Sequence, residues 1–136
     1  HEGEKFGITV SSMTSLTADP PRLLACVNVA GRSFAAISQS GRMSVNVLAS
    51  EQELIARRFA GMLTETADPF TSADWMEPAD GPPYLDKCLA SFDCRVSEML
   101  VTHSHAILIG DVETVRVTPG RTPLLYMDGS FKTTSD

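Results

Sequence analysis

The chain has 136 residues with a hydrophobic fraction of 43%, enough for a single core and no case for two domains. Its net charge of -6 and 11 scattered Lys and Arg, of which only Arg57 and Arg58 adjoin, exclude a nucleic-acid binder. No apolar run approaches the ~20 residues of a membrane helix and no signal peptide is read, so a soluble, cytoplasmic protein is expected.

From the front, Phe6, Ile8 and Val10 alternate with Gly7, Thr9 and Ser11, which predicts a strand with one buried face. The chain opens at His1, without Met and almost at once in a patterned segment, so a preceding strand is expected to be missing from this stretch. Ser11 to Thr17 turns polar, and Asp19-Pro20-Pro21 ends regular structure. Leu23 to Val29 reads as an inner strand. The turn Ala30-Gly31-Arg32-Ser33 follows, then a short helix capped by Ser33 that runs through Gln39, before Gly41. Met43, Val45 and Val47 alternate as a third strand. Ser50-Glu51-Gln52-Glu53 has a capping-box pattern. The helix it opens sets Ile55, Phe59 and Met62 on one face and ends near Gly61 to Thr64.

Residues 65 to 83, rich in Pro, Asp and Ala, predict a long connection around the single Trp75. Leu89 to Met99 and Ala106 to Val117 read as two strands, the second punctuated by Gly110 as at a bulge or barrel corner. Leu124 to Met127 gives a last short strand, closed by Asp128-Gly129. About six strands and two short helices favour an antiparallel barrel or sandwich. No strand leads into a Gly-x-Gly-x-x-Gly loop, which excludes the dinucleotide-binding α/β fold.

The densest polar cluster, Thr9 to Ser15, is either a surface turn or a loop offering N–H and hydroxyl groups to the edge of a heteroaromatic ring. Arg32, after a strand and at a helix start, suits a phosphate; a solvated turn arginine is the commoner reading in isolation. His103 and His105 would share one face of a strand, but no companion ligand has suitable spacing and no metal is expected. No Gly-x-Ser-x-Gly elbow points to a serine hydrolase. The three cysteines, Cys26, Cys88 and Cys94, form no Cys-x-x-Cys pair and fit a reduced compartment. Cys26 and Cys94 read as packing residues.

Several blocks, in their joint order, resemble the flavin reductase family over most of the chain. They are Gly7-Ile8-Thr9-Val10-Ser11-Ser12 with Ser15 and Asp19-Pro20-Pro21, then Val45-Asn46-Val47-Leu48, then Gln52 followed by Arg58-Phe59-Ala60-Gly61. Further along come Pro83-Tyr84-Leu85, Cys94, His105 with Gly110 and Val112, and Pro123-Leu124-Leu125-Tyr126 before Gly129. The resemblance implies a mainly β fold, the split β-barrel that binds flavin, built as an antiparallel six-stranded Greek-key barrel with short helices. It implies one flavin reductase-like domain over residues 1–136, lacking its N-terminal helix and first strand.

The activity implied is an NAD(P)H-dependent flavin reductase. Hydride would pass from the nicotinamide of NADH or NADPH to FMN or FAD, and the reduced flavin to a partner monooxygenase. By the same resemblance Thr9, Val10, Ser11, Ser12, Met13 and Ser15 hold the isoalloxazine and ribityl part. Ala30, Gly31, Arg32 and Ile37 line the phosphate end, with Met62 approaching from the helix end. His105, the catalytic candidate, borders the nicotinamide with Tyr126, Met127, Asp128 and Gly129. The family usually has Asp before this histidine, where Ser104 stands here. Family members are homodimers with flavin near the subunit interface. The alternatives are a split-barrel electron carrier that keeps its flavin, or a non-catalytic flavin-binding module.

Overall fold

The computed structural model describes residues 1–64 and 67–134. Contrary to expectation, the alternating segment from Phe6 to Ser11 joins no sheet. Its one backbone bond, among the described residues, runs from the Thr9 N–H to the Phe59 carbonyl at 3.3 Å. Gly7 and Thr9 meet the helix that carries Ala56 and Phe59, while Ile8 is 40% exposed, so the apolar alternation marks no single buried face. The polar stretch after it is the strand instead: β1, Met13–Thr17, pairs antiparallel with β2, Arg22–Asn28. Hydroxyl side chains suit such a sheet edge, which faces water. β2 buries Leu23, Ala25 and Val27 on one face, as alternation along a strand requires.

Helix α1, Arg32–Ser40, is capped by Gly31 in an extended conformation; Ser33, expected as the cap, falls in the first turn. Gly41, at φ 69°, takes the left-handed position that ends the helix and donates its N–H to the Ile37 carbonyl. β3, Arg42–Val47, follows at once. A 3-10 turn at Ser50–Gln52 then leads into α2, Glu53–Phe59. The reciprocal cap there is shifted by one residue. Gln52 Oε1 accepts the Ala49 N–H at 2.9 Å, while Ser50 Oγ turns to Glu51. Gly61, at φ 70°, closes α2 by donating to the Arg58 carbonyl, and Met62 donates to that of Arg57.

The connection from 65 to 83 is more ordered than its composition implies. Glu65 and Thr66 lie outside the described residues. Beyond them come a 3-10 turn, Pro69–Ser72, and two short strands paired with each other, β4, Trp75–Met76, and β5, Tyr84–Leu85. β6, Ala90–Thr102, and β7, His105–Val117, form a hairpin of 13-residue strands. His103 occupies its turn at φ 50°, so it shares no strand face with His105. Register shifts at Asp93/Cys94 and Val96/Glu98 flank the Gly110 position, as expected of a bulge. A Cβ there would lie 2.8 Å from Cys94 Cβ and 2.9 Å from Met43 Cε, so close packing requires glycine. β8, Leu124–Met127, is not the last strand: Asp128-Gly129, at φ 54° and 71°, turns the chain into β9, Ser130–Thr133.

The main sheet is antiparallel and five-stranded, in the order β1-β2-β7-β6-β3, and its two edges are not joined. Strands β2, β3, β6 and β7 nevertheless share one core of Leu23, Val27, Met43, Cys94, Ala106 and Leu108. The sheet therefore curls, through its twist and the two irregularities in the hairpin. Among the described residues no helix is long and apolar enough to cross a membrane.

Candidate functional site

A cavity of about 970 Å³ lies between the sheet and the helices, at the upper end of the ~300–1,000 Å³ of small-molecule sites. Its walls come from β2 through Ala25 and Val27, from α1 through Ala36 and Ile37, and from the unpaired segment Gly7 to Ser11.

That segment is held by its close approach to α2. A Cβ on Gly7 would lie 2.6 Å from Phe59 Cε1, so only glycine admits the contact. The Thr9 hydroxyl donates to the Ala56 carbonyl at 2.7 Å. With Thr9 so committed, the next two backbone N–H groups, Val10 and Ser11, have no protein acceptor among the described residues. Both residues line the cavity, so backbone donors stand at that wall for a carbonyl- and imine-rich ring to meet. The polar cluster divides here. Thr9, Val10, Ser11 and Met13 reach the wall; Ser12 and Ser15 do not. Ser12 Oγ donates instead to the Cys26 carbonyl at 3.2 Å.

A smaller recess opens beside the first and is bordered by Lys5, Gly31, Arg32, Ser33 and Gly61. The α1 N-terminus there has no side-chain cap and no acidic residue in its first turn. Its free N–H groups carry the positive end of the helix dipole, which favours an anion. Arg32 adds a guanidinium that rests 5.0 Å from the Phe6 ring, with Nη2 3.1 Å from Glu4 Oε2. Ser33 borders both spaces, a role the sequence reading missed although a hydroxyl in the first turn of a glycine-capped helix was its signal. Ala30 lies on neither wall, its N–H bound to Asn28 Oδ1 at 2.9 Å.

Met62, Tyr126 and Met127 reach the main wall; Asp128 and Gly129 stay in their turn, off it. The Tyr126 ring packs edge-on to Phe131 at 5.1 Å, and the Arg57 guanidinium, paired with Glu53 at 2.7 Å, lies 4.9 Å from the Phe131 ring. His105 is off both walls. It is exposed at the start of β7, with Nδ1 2.8 Å from Ser104 Oγ, and pairs across the sheet with Asn28. It thus neighbours the loop before α1. Among the described residues no hydrogen bond or ring contact links it to Tyr126–Gly129, so one chain does not form the joint border expected of them.

The sequence reading also missed an aromatic cluster on the cavity wall. Phe59, Phe70 and Trp75 meet edge-on with centroids 4.9–5.5 Å apart. They come from three separate elements, and no local pattern foretells their meeting. Burial, then the nearby Asp93 carboxylate, push the Cys94 thiol up to about 12, which suits a packing residue and not a nucleophile.

The flavin reductase like domain family matches residues 1–135. The chain belongs to that family. It is 34% identical to the FMN reductase (NADH) RutF of Methylorubrum extorquens over 131 residues, which is 96% of this chain and 63% of that protein. It is equally similar to the Klebsiella pneumoniae protein of the same name, 34% over 129 residues, or 95% and 78% of the two chains. The chain therefore spans just under two thirds of the Methylorubrum relative. Among solved structures, nitrilotriacetate monooxygenase component B from Mycobacterium thermoresistibile superposes with a TM-score of 0.89 at 34% identity, over 99% of this chain and 75% of that one. The styrene monooxygenase flavin reductase of Pseudomonas putida gives 0.84 at 28%, over 98% and 84%. The mainly β, split-barrel fold class expected from the sequence holds.

Proposed function

We propose that this domain is an NAD(P)H-dependent flavin reductase that supplies reduced flavin to a partner monooxygenase. The observation that carries the reading is the free N–H pair of Val10 and Ser11 on an apolar cavity wall, beside an anion-favouring helix end. In this reading Thr9, Val10, Ser11 and Met13 meet the isoalloxazine edge. Arg32 and Ser33 meet the phosphate, and Tyr126 and Met127 border the nicotinamide. The flavin supplies the chemistry, taking hydride from nicotinamide C4 at its N5. The protein orients the rings and excludes water. Donors directed at the N1–C2=O edge stabilise the negative charge of the reduced ring. The names of the relatives support FMN and NADH as the working pair. That of the styrene monooxygenase reductase supports an oxygenase as recipient.

A homodimer accords with the β6–β7 hairpin, which exposes Leu100 (62%) and Val101 (56%) beside Met99. A second copy covering that surface would give His105, near the same hairpin tip, a route to the nicotinamide of its partner. All three cysteines are free, which accords with the cytoplasm. The deciding assay offers FMN, FAD and riboflavin in turn and follows NADH and NADPH consumption. A folded protein that takes up no flavin and consumes neither nucleotide ends the reading.

A further inference from the structure

The β8–β9 hairpin is a sheet of its own, separate from the five-stranded one. A two-stranded hairpin is marginally stable in water unless it packs against something else. Its backbone meets the rest of the chain at its base. The Leu124 N–H donates to the Leu48 carbonyl at 2.9 Å, Pro123 forms a bridge with Ala49, and the Ser50 N–H donates to the Thr122 carbonyl at 2.8 Å. From residue 125 to residue 132, no hydrogen bond among the described residues reaches outside the hairpin. Yet Leu125, Tyr126, Met127 and Phe131 all line the main cavity.

What reaches the far part of the hairpin is Arg57 of α2. Its guanidinium lies over the Phe131 ring, 4.9 Å from the centre, and the Tyr126 ring packs edge-on to Phe131 at 5.1 Å. Glu53, one turn earlier, accepts from Arg57 Nε at 2.9 Å and from Nη2 at 2.7 Å. Two bonds to the same oxygen limit how the guanidinium can turn, and the quadrupole of the ring attracts a cation held over its face. The preceding residue, Ala56, accepts the Thr9 hydroxyl and so holds another wall of the cavity. One short helix thus attaches two walls through adjacent positions.

We propose that Arg57 is a positioning residue: it holds the β8–β9 hairpin in place as a wall of the main cavity and thereby slows the departure of a flavin bound there. That a flavin is the occupant rests on the reductase reading above. Without the cation, Phe131 loses its contact with α2, Tyr126 and Met127 lose their set position, and the hairpin swings on its base at residues 122 to 124.

The test follows hydrogen exchange in the ligand-free chain, and FMN dissociation by stopped-flow fluorescence, for the unaltered chain, Arg57→Gln, Arg57→Lys and Phe131→Leu. The Arg57 and Glu53 side chains are 40% and 44% exposed, so no buried charge is stranded and the variants fold. Arg57→Gln quickens amide exchange over residues 125 to 132 about two- to fivefold, the worth of a cation–ring contact at an exposed site, and leaves β2, β6 and β7 unchanged. FMN dissociation quickens by a similar factor. Arg57→Lys, which keeps a cation for the ring, recovers part of both. Arg57→Gln adds little to Phe131→Leu, since the contact is already gone. Hairpin exchange that Arg57→Gln leaves unchanged, or that quickens only together with α2 and the main sheet, overturns the assignment. So does faster hairpin exchange with unchanged FMN dissociation. A folded, unaltered chain that takes up no FMN overturns the retention of flavin together with the reductase reading, while the hairpin exchange still decides whether Arg57 holds the wall.

Discussion

The guanidinium of Arg116 stacks on the Tyr84 ring while closing two hydrogen bonds, 3.0 and 2.8 Å, onto the Asp93 carboxylate. Only 7% of the Asp93 side chain is exposed, against 32% for Arg116. The acid cannot be left without its cation, and water screens the cation in part. Arg116→Met strands the carboxylate and is expected to cost about 2–3 kcal/mol, the lower end of what breaking a buried pair costs because one partner is partly wet. Arg116→Lys keeps the charge but loses the planar fork and the stack, and costs about half as much. Urea titrations read both as lower midpoints with an unchanged slope. A change in Arg116→Met below about 0.5 kcal/mol, the ordinary scatter of surface substitutions, contradicts this.

Gly7→Ala tests the donor edge. Phe59 is wedged against Phe70 and Trp75, so the new methyl displaces the segment more readily than the ring. Val10 and Ser11 move with it. FMN affinity is expected to fall about tenfold, with a stability loss of about 1–2 kcal/mol. Fluorescence titration measures the first and a thermal melt the second. Ser12→Ala, in the same polar cluster, is expected to change affinity less than about twofold, because its hydroxyl is turned to Cys26. Equal losses in the two variants undo the division of the cluster.

Arg32→Ala and Ser33→Ala address the anion recess. Each is expected to weaken FMN about five- to tenfold, the worth of a charge-assisted contact, and to leave riboflavin nearly unaffected. The quantity to measure is the ratio of the two dissociation constants. If riboflavin weakens as much as FMN, the phosphate lies elsewhere.

The Cys94 thiol has a pH signature. Its ordinary value of 9.0 is raised to about 12 in the folded chain, so the folded state holds the proton longer than the unfolded one. That contribution to stability is fully present below pH 9 and drains away as pH rises toward 12. Cys94→Ala is expected to flatten the alkaline fall in the denaturation midpoint. In the native chain alkylating reagents should reach Cys26, which is half-buried, well before Cys94, which is 0% exposed. Early loss of the Cys94 thiol on mass analysis contradicts this.

Periodicity made β2, α1, β3, α2 and the β6–β7 hairpin legible, because each is long enough to show its repeat. β4, β5 and β9 span two to four residues and carry none. The alternation of Phe6, Ile8 and Val10 misled: Gly7 and Thr9, the residues between them, are the ones that meet α2, and Ile8 is 40% exposed. In the candidate site, Arg32 and the Thr9 to Met13 cluster were readable from residue type and position. The bonds of Ser44 to Pro83 and of Asn46 to Leu85 were not, since each joins residues 39 apart along the chain. His105 shows the converse. The predicted strand began one residue after it, and only the tertiary structure shows that Asn28 stands beside it.

The segment that carries the two free donors borrows its shape from α2, through one side-chain and one backbone bond, and has no strand at its side. Local opening of this seven-residue helix, short of global unfolding, would release that segment. Loss of activity should then precede melting of the sheet, and the temperature gap between the two would report how loosely recognition is coupled to the scaffold beneath it.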